Sequence, residues 1–208
     1  MKIDSFYQCL TYVRSVSQEV DGGSLSEWLL PLVGVVVGFV LSTLASLFSA
    51  YWKEGRIKKS ILAEVSLVKS QAEKTFKATI EMMYEVNKLP PDATPYQPSA
   101  TLSIFLFQQL FSGVAHRFKA TQIEQFQYLQ AHVKTVNDKV AWLTDSQRAR
   151  GAEFWDYSYK VIADSARLID CCDGILTSTS GRTINAYDLA EKLGISSEAI
   201  TSVLGEEK

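Results

Sequence analysis

The sequence has few of the residues from which active sites and metal centres are usually built. It contains 2 histidines in 208 residues. Neither His116 nor His132 has a Glu or a second His three or four positions away, as helical zinc and di-iron sites require. A glycine-rich phosphate loop and a Gly-x-Ser-x-Gly nucleophile motif are also missing. These absences exclude the enzyme classes that carry such local signatures, and we expect a protein that is not an enzyme and holds no metal or cofactor.

Cysteine is scarce as well. The 3 cysteines are too few for a disulfide framework, and the neighbours Cys171 and Cys172 cannot readily bridge each other. This usage indicates a reducing compartment for the part of the chain that contains them. Asp170-Cys171-Cys172-Asp173 is the one cluster with ligand-type atoms, but adjacent helical residues point about 100° apart and seldom share a metal. We therefore interpret Cys172 as a core residue.

Charged residues are absent from one long stretch, Trp28–Trp52, with the sequence WLLPLVGVVVGFVLSTLASLFSAYW. As a helix this stretch would reach roughly 37 Å, enough to cross a hydrocarbon core about 30 Å thick with some tilt. Pro31 falls in the first turn, where its missing N–H costs little. The stretch is longer than the apolar part of a signal peptide, so we expect a retained anchor. The sequence predicts a single transmembrane helix over residues 28–52.

The basic residues near this stretch predict its direction. Five follow it within 17 residues, and only Lys2 and Arg14 precede it. Because basic residues favour the cytoplasmic side, we expect the N-terminus outside and the C-terminal region in the cytoplasm, at the inner (plasma) membrane. Aromatic residues at both ends suit the two interfacial belts. The predicted membrane-interface residues are Trp28, Tyr51, Trp52, Lys53, Arg56, Lys58 and Lys59.

Small residues recur every four positions inside the stretch, at Gly34, Gly38, Ser42 and Ser46. A Gly-x-x-x-Gly spacing lets two membrane helices approach closely. Glycine is also common in membrane helices, so the spacing alone would be weak, but the stripe continues over three turns. We expect self-association through this face. No ionisable residue lies in the stretch, so nothing marks a proton relay.

The N-terminal segment, residues 1–27, has an apolar stripe at helical spacing from Ile3 to Val20. Asp21-Gly22-Gly23 ends the pattern. Two interpretations stay open: an amphipathic helix lying in the headgroup region outside the cytoplasm, or a short helix packed on a partner or on the protein's own domain.

The region 53–180 predicts an all-α domain, an antiparallel cytoplasmic bundle of about four helices. Four of the five prolines fall in Pro90–Ser99, which must be a loop. Apolar residues recur at helical spacing on either side of it, without a competing strand pattern. The four helical patterns run from Arg56 to Leu89, Leu102 to Phe111, Ile123 to Leu143, and Phe154 to Ile175.

Aromatic and basic residues cluster at the start of the last of these helices. The aromatic rings are expected to pack against neighbouring helices, but together with the basic residues they could also form a face for a nucleotide or another anion. The residues of this possible anion face are Arg148, Arg150, Trp155 and Tyr159.

The C-terminal end, residues 181–208, predicts a small helical hairpin. Its segment Asp188–Leu204, DLAEKLGISSEAITSVL, resembles the helix-turn-helix motif of DNA-binding proteins. The resemblance implies that Ser196–Leu204 enters the major groove. However, this second helix has no Lys or Arg and carries Glu198, so its surface would repel phosphate. We expect no nucleic-acid partner, and a hairpin that docks on the bundle or on another protein.

Taken together, these patterns predict a single-pass membrane-anchored helical interaction or sensor protein that self-associates through its transmembrane helix. Its expected partners are membrane lipids, further copies of itself and a cytoplasmic protein. One alternative is a ligand-gated membrane effector of the defence or toxin type, whose clustered spans perturb the bilayer. An enzyme without a recognised motif is the third alternative.

Overall fold

The computed structural model describes residues 11, 25–86, 88, 101–144, 151–179 and 184–205. The described residues form helices and connections without a strand, which confirms the predicted all-α class. The predicted N-terminal helix, apart from Thr11, and the loop Pro90–Ser99 lie outside the described residues. The helices are α1 (Leu25–Val86), α2 (Phe105–Val114), the 3-10 turn η1 (Ala115–Arg117), α3 (Ala120–Leu143), α4 (Ala152–Thr177), α5 (Ala186–Lys192) and α6 (Ser197–Leu204).

The chain divides into two compact units between Gly55 and Arg56. Gly55 lies inside α1 and does not end the helix. The unit that starts at Arg56 contains the hydrophobic core.

Helices α3 and α4 bury the apolar positions that their sequence periods predict. On each helix the buried residues alternate at spacings of four and three, the spacing that lets two helices interlock along a seam. On α3 they are Gln122, Phe126, Leu129, Val133, Val136, Val140 and Leu143. On α4 they include Phe154, Ser158, Val161, Ser165, Leu168, Cys172 and Ile175. The interpretation of Cys172 as a core residue is therefore confirmed.

Contacts along this seam show that α3 and α4 are antiparallel. Near the start of α3, Gln122 Nε2 donates a hydrogen bond of 2.6 Å to the carbonyl of Ile175, near the end of α4. Near the end of α3, the rings of Trp142 and Tyr157 stack with their centroids 3.9 Å apart. The start of α3 therefore lies beside the end of α4, and the end of α3 lies beside the start of α4.

Helix α2 runs antiparallel to the bundle part of α1. The Glu64 carboxylate accepts the N–H groups of Leu106 and Phe107, both at 2.8 Å. Six residues earlier on α1, Lys58 donates to the carbonyl of Arg117 at 2.6 Å. The first turn of any helix has N–H groups without intrahelical partners. Because α2 has no side-chain cap of its own, Glu64 supplies the cap from another helix.

The pattern from Leu102 predicts a helix, but residues 101–104 are not helical in the structure. The Asn137 side chain on α3 forms two hydrogen bonds with the backbone of Leu102. It accepts the N–H at 2.9 Å and donates to the carbonyl at 2.8 Å. This clamp and the Glu64 cap move the start of α2 to Phe105. Residues 101–117 together take the place of the second helix, so the bundle is an up-down-up-down arrangement of four segments.

The C-terminal hairpin is present as predicted. Asn185 and Ser196 cap α5 and α6 with their side-chain oxygens, and Gly194 between the helices has a φ of 69°, which favours glycine. The hairpin packs on the bundle. Tyr159 of α4 donates to the carbonyl of Val203 at 2.9 Å, and Tyr84 of α1 donates to the Glu198 carboxylate at 2.8 Å.

Candidate functional site

The apolar part of α1 exposes large side chains around its whole circumference. By length and composition it is the one helix among the described residues that could cross a membrane, and none of its most apolar window, of mean hydropathy 2.2, is buried. Leu32 and Leu41 are 63% and 60% exposed. They lie nine residues apart, which is about half a turn around the helix. Apolar surface therefore faces outward on opposite sides.

The predicted stripe of small residues lies on this same exposed surface. Ser42 and Ser46 are exposed, and a Cβ added at Gly34 or Gly38 would meet nothing within 4 Å. Thr43 donates its hydroxyl proton to the carbonyl of Phe39 at 2.8 Å, so its polar group is satisfied within the helix.

The predicted interface residues at the end of the apolar segment are exposed. Tyr51 and Trp52 both point outward, and the Trp52 ring lies 5.8 Å from that of Phe48. Trp28 lies in α1, in the part whose side chains are outside the described set.

Four of the predicted interface residues are basic, and we call Lys53, Arg56, Lys58 and Lys59 the basic quartet. The structure divides this quartet into two groups. Lys53, Arg56 and Lys59 are exposed. Lys58 is turned toward the bundle, one turn before the buried Ile61. There its ammonium group binds the carbonyl of Arg117 and lies 5.0 Å from the centre of the Phe118 ring. Lys58 therefore holds η1 in place.

The possible anion face is only partly described. Arg148 and Arg150 lie outside the described residues. Trp155 is half-buried with its ring edge-on to Phe154, at a centroid distance of 5.6 Å. The Tyr159 hydroxyl is bonded to the C-terminal hairpin. Both described rings contribute to packing, and the anion face stays a prediction.

A buried charge cluster between α3 and α4 escaped the sequence analysis. Asp164 is only 6% exposed and forms ion pairs with Lys139 and with Arg167, the latter at 3.3 Å. Burial lowers the pKa of the nearby His132, and the Asp164 carboxylate opposes this shift. The sequence does contain one indication that Asp164 is buried. It lies three residues after Val161, which places it near the core face of α4.

The two neighbouring cysteines are buried and differ in their contacts. The Cys171 thiol donates to the carbonyl of Gln125 at 2.9 Å, whereas Cys172 lies in the seam of the core. Burial raises the pKa of Cys171 to about 12 and raises that of Cys172 even further. Since the thiolate is the reactive species, neither is suited to act as a nucleophile.

We therefore expect both thiols to resist alkylation in the folded protein. In a Cys9→Ser variant, which leaves only Cys171 and Cys172, the labelling rate at neutral pH should be about a thousandfold below that of the unfolded chain. The rate is measured with a maleimide and mass spectrometry, with the denatured protein as the control. Labelling of the native protein at the denatured rate would show that the two thiols are accessible.

The described bundle also carries an open groove of about 620 Å³ between residues 102–105 and α3. No local pattern in the sequence marked it, because its walls come from residues about 30 positions apart. Its α3 wall offers amide and charged groups rather than a closed apolar surface. The polar side chains that line it are Ser103, Gln108, Gln127, Gln130, Lys134, Asn137 and Asp138.

The second helix of the helix-turn-helix-like hairpin is engaged by the bundle. Ala199, Ile200 and Val203 of α6 are buried, and the Glu198 carboxylate accepts a hydrogen bond from Tyr84. The face of α6 that remains exposed carries three hydroxyl side chains and Glu198, and no basic group. This arrangement makes the hairpin part of the packed domain.

No protein-family model, no curated protein and no solved structure matches this chain.

Proposed function

We propose that this protein is a single-pass membrane anchor whose helical domain binds a partner or signal, and which self-associates through residues 28–52. The observation that carries the proposal is the apolar segment of α1, whose side chains are exposed on all sides. A protein partner on one side would cover only part of the circumference. A bilayer covers all of it, and the absence of ionisable residues from Trp28 to Trp52 suits that environment.

The energetic scale supports the same proposal. Eleven large apolar side chains from Leu32 to Phe48 are more than two fifths exposed. Half-burying a side chain of this size gains about 1 kcal/mol, so covering the segment gains on the order of 10 kcal/mol. That is comparable to the whole stability of an ordinary domain. The segment is therefore expected to occupy an apolar environment rather than water.

Charges placed in the middle of the segment test the anchoring. A Val37→Arg/Leu41→Arg variant should lose retention in membranes washed at alkaline pH, because each arginine costs about 3 kcal/mol at a helix centre. The matched control is Leu67→Arg, which places arginine at another exposed apolar position of α1 and should leave retention unchanged. Retention of the double-arginine variant at the wild-type level would contradict the proposal.

We propose the inner (plasma) membrane, with the bundle in the cytoplasm, from the excess of basic residues after Trp52. In spheroplasts, protease added from outside should leave the bundle intact and should digest it only after lysis. Digestion before lysis would reverse the proposed orientation.

Self-association is proposed through the small-residue stripe. In mild detergent the full-length protein should be an oligomer, and Gly34→Leu/Gly38→Leu should convert it to a monomer, because the added side chains keep the helices apart. Val36→Leu/Val40→Leu places the same side chain at the same spacing on the opposite face and should leave the oligomer unchanged. The mass of each variant is measured by light scattering. An oligomer that survives the glycine substitutions, or a monomeric wild type, would remove this part of the proposal.

A further inference from the structure

One end of the bundle gathers basic side chains that are far apart in the sequence. The hydrogen bond of 2.6 Å from Lys58 to the carbonyl of Arg117 joins the first turn of the bundle part of α1 to η1. The neighbouring side chains of Arg56, Lys59 and Lys119 are exposed. These three cations form no ion pair with any residue in the described part of the chain. We call Arg56, Lys59 and Lys119 the basic end of the bundle.

The segments that meet at this end carry almost no negative charge. The sequence has no Asp or Glu between Glu54 and Glu64, and none between Asp92 and Glu124. The Glu64 carboxylate is occupied by two N–H groups of α2. The end of α4 also reaches this end of the bundle, through Gln122, and its nearest carboxylate, Asp173, is paired with Lys69 at 2.6 Å. The basic end therefore has a net positive charge.

Arg56, one of the cations of this end, comes soon after the apolar segment in the sequence. Arg56 follows Trp52 by four residues, which span at most about 14 Å even when fully extended. If Trp52 marks the membrane interface, the basic end lies near the layer of lipid headgroups. Electrostatic attraction between exposed charges acts over about 8–10 Å at physiological salt, so cations at this end lie within reach of phosphate groups.

We infer that the basic end, including Lys119 from the α2–α3 connection, is a contact surface for anionic lipid headgroups. The inference rests on the proposed membrane anchoring. It extends the predicted interface beyond the residues that directly follow the apolar segment. Anionic headgroups fit the site because exposed lysine and arginine attract phosphate without needing a shaped pocket. The consequence is that one end of the bundle rests on the membrane surface instead of hanging freely from it.

The test uses the full-length protein in two kinds of nanodisc, one of phosphatidylcholine alone and one with about a third of phosphatidylglycerol. Lysines are labelled briefly with an amine-reactive ester, and each site is read by peptide mass spectrometry. Labelling of Lys119 should slow about threefold or more in the anionic discs, and high salt should restore it. Lys134 is the matched control, since it is exposed on α3 and lies roughly 22 Å beyond Lys119 along the helix axis, and its rate should not change.

The outcomes separate this inference from the proposal beneath it. Slower labelling of Lys119, with Lys134 unchanged, supports the contact surface. Slower labelling of Lys59 alone would limit lipid contact to the residues after the apolar segment and would overturn the inference. Equal rates for Lys119 in both discs would overturn it as well. A protein that does not enter the discs would remove the anchoring proposal and this inference together.

Discussion

Replacing Phe126 with alanine is expected to lower the free energy of unfolding of the bundle by about 3–5 kcal/mol. The Phe126 ring is fully buried and contacts three other rings. It stacks on Phe107 at a centroid distance of 4.7 Å, lies 4.9 Å from Phe111, and meets Phe118 edge-on at 5.1 Å. The substitution would leave a cavity where α3 meets α2 and the α2–α3 connection, because the ring contributes to all of these contacts.

Hydrogen exchange of the core amides of α3 and α4, in the full-length protein in detergent, measures this loss. Tyr128→Ala is the matched control, because Tyr128 lies on the same helix and is 52% exposed. It should reduce stability by less than about 1 kcal/mol. Equal losses in the two variants would contradict the described packing of α3.

Replacing Lys139 with methionine is expected to destabilise the bundle by about 3 kcal/mol, because it leaves the Asp164 carboxylate buried without its main partner. Arg167 would remain, but its side chain is 67% exposed and lies 3.3 Å from Asp164. Removing one member of a buried ion pair costs more than removing both. A Lys139→Met/Asp164→Leu variant should therefore recover most of the lost stability.

The same exchange measurement compares these variants with Lys160→Met. Lys160 pairs with Asp156 four residues away on the exposed side of α4, and an exposed pair contributes little. Its loss should leave stability nearly unchanged. If Lys139→Met were as harmless as Lys160→Met, the Asp164 carboxylate would have to be solvated rather than buried.

The division of the basic quartet illustrates what a local pattern misses. By sequence, Lys53, Arg56, Lys58 and Lys59 form one cluster after an apolar segment. In the structure Lys58 points toward the bundle because it lies one turn before the buried Ile61, and it binds a carbonyl 59 residues away. A residue that looks like part of a membrane-facing set thus contributes to the fold, while Lys119, outside any such cluster, joins the exposed cations.

The sequence by itself determined the all-α class, the buried faces of α3 and α4, and the position of the charge-free apolar segment. The periods of α3 and α4 predict their core residues, Phe126 and Cys172 among them, because a helix repeats every 3.6 residues whatever it packs against. Only the tertiary structure decided that Glu64 caps α2, that Asn137 binds the backbone of Leu102, and that Lys139 pairs with Asp164. Each of these contacts joins residues 25 or more positions apart. Local spacing carries no information about which distant group will meet a polar side chain, since that depends on how the helices pack.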